Sequence, residues 1–173
     1  MKKKAILLTL TISLISCGAA SSAGKPPSGE RVVLSDIERV NLLEREQGYS
    51  HLENIVIRST AELDRYRQSI EPQSGWNDKA TFLAELQRQK IDFDRLNLLI
   101  YFHAEGSGSI GVALEEPIWE GENAVVHLTR TVPEIGTADM AYYAYAFTIK
   151  KTIPKVIFVI NDRRIEIQNN DTF

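Results

Sequence analysis

LNLLIYFHA at residues 96–104, EGSGS at 105–109, IGVALEEP at 110–117, AVVHLTR at 124–130, TVPEIGTADM at 131–140 and YYAYAFTIK at 142–150 decide the fold of this 173-residue chain. Apolar, β-branched and aromatic runs alternate there with clusters of Gly, Asn, Asp, Glu and Pro, the pattern of strands joined by turns. The run at 96–104 is apolar on both faces, which places it centrally with helices covering one side. Residues 110–116 follow as its expected hairpin partner, then strands at 124–130, 142–150, 156–160 and 164–167. Connections this short predict antiparallel neighbours, because a parallel crossover needs a dozen or more residues.

Upstream the period changes. Residues 31–34 read as a short first strand. Ile37, Val40, Leu42 and Leu43 among charges suggest an amphipathic helix over 36–47, with a strand as the alternative. NIVIR at 54–58 reads as a strand. Ser59-Thr60-Ala61-Glu62 has the spacing of a capping box and predicts a helix to about Ile70. A second helix is expected from about Asn77 to Lys90, with Phe82, Leu83 and Leu86 as its apolar stripe. The expected architecture is α+β: an antiparallel sheet of five or six strands, with two or three short helices packed on one face. It forms a single domain over residues 30–173.

The first residues carry an address. Lys2, Lys3 and Lys4 precede an apolar run at 5–15 that is too short to span a bilayer as a mature helix. The run closes on Leu14-Ile15-Ser16-Cys17, which resembles the lipobox of bacterial lipoprotein signal peptides. That resemblance implies cleavage of residues 1–16, a diacylglyceryl group on Cys17 and acylation of its new amino group. Residues 17–29, rich in Ala, Ser, Gly and Pro, then form a flexible tether. Gly18 stands where an aspartate would resemble an inner-membrane retention signal. The expected location is therefore the outer membrane's inner leaflet, facing the periplasm.

Loss of residues 1–16 removes three lysines and no acid, leaving 17 basic against 23 acidic side chains, a net charge of −6. A nucleic-acid surface is not suggested. Cys17 is the only cysteine, so neither an intramolecular disulfide nor a two-cysteine zinc site is available. His51, His103 and His127 lack ligand spacing, and neither a metal nor a cofactor is expected.

Two loops hold the candidate site residues. The first is Glu105-Gly106-Ser107-Gly108-Ser109. With Ile110-Gly111 it matches G-x-G-x-x-G, but the following Val112-Ala113-Leu114-Glu115-Glu116-Pro117 suits a strand rather than the helix a dinucleotide site needs. As a hairpin turn, its glycines are expected to supply positive φ angles. Ser107 or Ser109 with His103 and Asp139 is the one arrangement that suggests a serine hydrolase, although the elbow pattern G-x-S-x-G fails.

The second loop, residues 131–140, is longer than a hairpin requires and contains Pro133, Gly136 and Asp139. It serves either as a binding loop or as a crossover whose Ile135 and Met140 plug the core. Beyond it, Tyr143, Tyr145 and Phe147 share one strand face, with alanines on the other face, where a helix can approach.

Residues 91–151 also resemble the C-terminal domain of PrcB, a lipoprotein accessory to a surface protease complex. The shared plan is the I-D-F lead-in at 91–93, an apolar strand, a Gly-rich turn, an amphipathic strand, a strand ending in a proline-bearing loop and an aromatic strand. The turn departs from the family's T-G-G-Y, reading Gly106-Ser107-Gly108-Ser109-Ile110, and Met140-Ala141-Tyr142 replaces a Pro-Tyr. The resemblance implies a non-catalytic module that modulates a partner protein.

The leading expectation is thus a lipid-anchored, non-enzymatic accessory module for another envelope protein, engaging through the two loops. The alternatives are an envelope serine hydrolase and a lipoprotein holding a small apolar ligand beneath Tyr143, Tyr145 and Phe147.

Overall fold

The computed structural model describes residues 36–170. The leader, Cys17, the tether and the expected strand at 31–34 lie outside the described residues. The elements in order are β1 (Ile37–Val40), a short 3-10 turn (Gln47–His51), β2 (Ile55–Ile57), α1 (Thr60–Ile70), α2 (Lys79–Arg88), β3 (Leu96–Glu105), β4 (Gly111–Leu114), β5 (Ile118–Glu120), β6 (Asn123–Thr131), β7 (Ala141–Lys150), β8 (Lys155–Ile160) and β9 (Arg163–Gln168).

The α+β expectation holds, but one antiparallel sheet does not. There are two sheets. A four-stranded sheet has the order β1-β7-β3-β2, and a five-stranded sheet has the order β4-β6-β8-β9 with β5 also on β6. The reason lies in the pairing of β3. Its ten residues pair along their whole length with β7, from Leu96 opposite Lys150 to Glu105 opposite Ala141. Its other edge takes β2 at Leu98 to Ile100, and β4 pairs with β6 instead of folding back on β3.

The chain therefore turns a corner at residues 106–110 into the second sheet, where β4 pairs with β6. It returns to the first sheet as β7 and then leaves again as β8. Because β7 lies in the other layer, β6 and β8 run the same way and pair in parallel, Val126 opposite Phe158. The helix expected over 36–47 is also replaced. Ile37 to Val40 pair with β7 as an edge strand, with Ile37 turned to one face and Val40 to the other.

The four-stranded sheet is buried on both sides, which explains the unbroken apolar reading of β3 and β7. One face, carrying Leu99, Tyr101, Tyr143, Tyr145 and Phe147, packs on Val126, Leu128, Val156 and Phe158 of the second sheet. Tyr101 stacks flat on Phe158 with ring centres 4.0 Å apart. The other face presents Leu98, Ile100, Ala144 and Ala146 to Leu63 and Ile70 of α1 and Phe82 and Leu86 of α2. The alanines let the helices approach, and burying a side chain such as Phe82 or Leu86 contributes about 1.5–3 kcal/mol.

Local signals set the helix bounds. Ser59 accepts from the Glu62 amide, and Glu62 reaches back to the Arg58 amide, a capping box displaced by one residue. Asp78 caps α2 in the same way. No helix among the described residues is long and apolar enough to cross a membrane.

Candidate functional site

The corner at 106–110 and the loop at 132–140 lie side by side, because β3 and β7 end together with Glu105 opposite Ala141. Their backbones are laced to each other. The Gly108 amide donates to the Asp139 carbonyl at 2.8 Å and to Asp139 Oδ1 at 3.2 Å. The Thr137 amide donates to Ser107 Oγ at 2.8 Å and to Ser109 Oγ at 3.3 Å. The two serine hydroxyls are 2.9 Å apart, and Ser107 Oγ is 3.2 Å from Thr137 Oγ1.

Gly108 and Gly136 serve close approach rather than positive φ. Positive φ at glycine, among the described residues, occurs only at Gly75 and Gly121. A Cβ on Gly108 would instead fall 2.2 Å from Asp139 Oδ2. The corner is thus a glycine-fitted seat for the loop. Gly106 has open space around it and is exposed, as is Pro133, while Gly136 sits over Ser107.

Arg45 completes the seat from a third direction. Residues 44–46 extend the β1 edge along β7, with the Ala144 amide donating to Glu44 O and the Glu46 amide to Tyr142 O. From there Arg45 Nη1 donates to Gly108 O at 2.9 Å, and Nη2 lies 4.0 Å from Asp139 Oδ2. Asp139's carboxyl is held below its ordinary value, first by the Thr137 hydroxyl, then by backbone amides and by the Arg45 charge. Nothing in the local sequence marks Arg45, which lies 63 residues from Gly108.

Glu105 belongs to a separate cluster at the end of the sandwich, between the sheets. It is 4% exposed. Arg130 grips its carboxylate with Nε and Nη2, each at 2.7 Å, and His103 Nε2 is 2.8 Å from Oε1. Burial pushes this carboxyl up, but the hydrogen bonds and charges of Arg130 and His103 outweigh it, and the net position is below the usual carboxylate value.

His103, the serines and Asp139 are therefore divided between two networks. The imidazole is engaged by Glu105, the serines by each other and by Thr137, and Asp139 by Gly108 and Arg45. No hydrogen bond joins His103 to either serine among the described residues.

Above this seat the loop shows apolar side chains to solvent. Ile135 is 86% exposed, Val132 61% and Met140 47%, so Ile135 and Met140 do not plug the core. The aromatic face of β7 is spent inward, with Tyr143 donating to Ile110 O at 2.6 Å and Tyr145 to Val112 O at 3.1 Å. A groove of about 270 Å³ opens between the β1 and β4 edges, with Ile37, Leu114, Pro117 and Phe147 on its walls beside the charged Glu38, Arg39, Glu115 and Glu116. No group of three or more His, Cys, Asp or Glu among the described residues is placed to hold a metal ion. Comparison with protein-family models, curated proteins and solved structures found no match.

Proposed function

We propose that this chain is a non-enzymatic accessory module, anchored through a lipid on Cys17, that binds another protein of the bacterial envelope through the loop at 132–140 and the corner beneath it. One observation carries the reading: an exposed loop whose base is fixed by hydrogen bonds at Ser107, Gly108, Ser109, Thr137 and Asp139 holds Val132, Ile135 and Met140 out in water. Exposed apolar side chains on a mobile segment would lose ordering entropy on binding, whereas a pre-fixed loop has that cost already met within the fold. Three exposed apolar side chains on one fixed loop offer apolar surface to a partner.

The test is affinity isolation of the full-length chain from gently solubilised envelopes. A protein recovered with the native chain should be lost with Ile135→Ser and with Val132→Ser, substitutions that remove apolar surface without touching the hydrogen bonds of the seat. Recovery undiminished by both changes refutes the assignment of the loop.

A further inference from the structure

The edges of the two sheets are not alike. In the four-stranded sheet the outer strands are β1, with four residues, and β2, with three. In the five-stranded sheet one edge is shared by β4 and β5, and it is interrupted at Glu115-Glu116-Pro117. The other edge is β9, Arg163–Gln168, six residues without proline or glycine and without a strand on its outer side among the described residues. Natural proteins blunt such edges, because a row of unused amides and carbonyls templates another strand. β9 is the longest of the outermost strands among the described residues.

Its sequence is complementary to itself. In an antiparallel pair of identical strands about a two-fold axis normal to the sheet, the axis passes through one residue, and residues equally far from it face each other. With the axis at Ile165, Arg164 stands opposite Glu166 of the second copy, and Glu166 opposite Arg164, on the outer face of both sheets. An axis at Arg164 or at Glu166 would set that charge against its own copy, and an axis at Ile167 pairs Glu166 with Gln168. Only the Ile165 register matches opposite charges.

The charges already in place extend the match. Within one copy, Arg164 Nη2 is 2.6 Å from Glu120 Oε2, and Lys155 Nζ is 2.7 Å from Glu166 Oε2. Pairing would join these into two rows, each running Glu120, Arg164, Glu166 and Lys155 with signs alternating across the junction. On the inner face Ile165, partly packed against the inter-sheet core, would meet its own counterpart, and Ile167 would lie opposite Arg163 of the second copy.

We propose that the occupant of this edge is a second copy of the chain, joined through antiparallel β9–β9 pairing in register at Ile165 to make one continuous sheet. Five paired residues per copy, 163 to 167, form a small interface, so the dimer should dissociate on dilution and be favoured where copies are crowded on one membrane surface.

The test is single cysteine substitution at each position from 163 to 168 in the full-length chain, oxidised in the envelope of an expressing cell, with the unsubstituted chain as control. Directly opposed residues have Cα atoms about 4.5–5.5 Å apart, within disulfide reach. Ile165→Cys should give the highest yield of linked homodimer, and the control none. Absence of homodimer at Ile165→Cys, equal yields at all positions, or linkage to a different protein overturns the proposal. If Ile165→Cys does not accumulate, sedimentation of charge variants decides. Arg164→Glu should weaken self-association about tenfold, and Arg164→Glu with Glu166→Arg should restore it, although both internal ion pairs are then lost. A double variant as weak as the single one overturns the register.

Discussion

Removing Arg130 should cost far more than removing Arg130 and Glu105 together. The Glu105 carboxylate is nearly sealed from water and takes both of its strong bonds from one guanidinium, Nε and Nη2 at 2.7 Å. In Arg130→Met that charge remains between the sheets with His103 as its one side-chain partner. Breaking a buried pair in this way costs about 3–5 kcal/mol. The Arg130 side chain is 26% exposed, so water can partly replace it, and about 3 kcal/mol is expected. Glu105→Leu with Arg130→Met removes the charge as well and should lie within about 1 kcal/mol of the native chain.

The assay is urea unfolding of the two single variants and the double, analysed as a thermodynamic cycle at constant m-value. The pH dependence supplies a second check. The Glu105 carboxyl is depressed in the folded state, so its contribution is present above the unfolded value of about 4.3 and is lost as pH falls through the lower folded value. Loss of Arg130 leaves burial to push this carboxyl up in the variant, so the gap between the native chain and Arg130→Met should be widest near neutral pH and should narrow as pH falls and the carboxyl is protonated. Additive single effects, or a gap that widens in acid, would refute this account of the sandwich end.

Three further changes test how buried polar groups and close packing hold the rest of the fold. Glu46 is 3% exposed, and its carboxylate accepts from the amides of Gln47, Gly48, Asn77 and Asp78, so Glu46→Ala should lower unfolding stability by about 3 kcal/mol. A Cβ on Gly48 would lie 2.1 Å from the Trp76 ring, which is wedged against Tyr49 and Phe82. Gly48→Ala should cost about 2–3 kcal/mol and shift tryptophan emission. Asn169 joins Asn97 to the carbonyls of Lys150 and Ile153, and Asn169→Ala should cost about 3 kcal/mol by thermal unfolding.

The helices were legible because their signals are local. The Ser59 cap and the Phe82 and Leu86 stripe placed α1 and α2 within about two residues, and Asp78, which caps α2, was not singled out. The Ala144 and Ala146 face of β7 likewise foretold where helices would pack. The second sheet was not legible. A glycine-serine connection at 106–110 reads the same whether it returns a strand on itself or carries it to another layer. The choice is made by β3 pairing with β7, whose partners lie 36 to 54 residues away in sequence, from Glu105–Ala141 to Leu96–Lys150. Ile37 and Val40 have helical spacing, yet an edge strand uses the same spacing to send one residue to each face.

At the site, Ser107, Ser109 and Asp139 were legible as a group of polar loop residues. Arg45 was not, because only the fold brings it to Gly108. Glu46 escaped for the same reason: two of its four amides belong to residues 77 and 78.

The most direct test of the proposed function is site-specific photocrosslinking in intact cells, with a photoreactive residue at position 135 of the full-length chain and the same probe at exposed Arg65 on α1 as control. The account predicts one recurring envelope protein captured from position 135 and not from position 65. Capture of the same neighbours from both positions, or of none from position 135 in a chain that is present and folded, would contradict it.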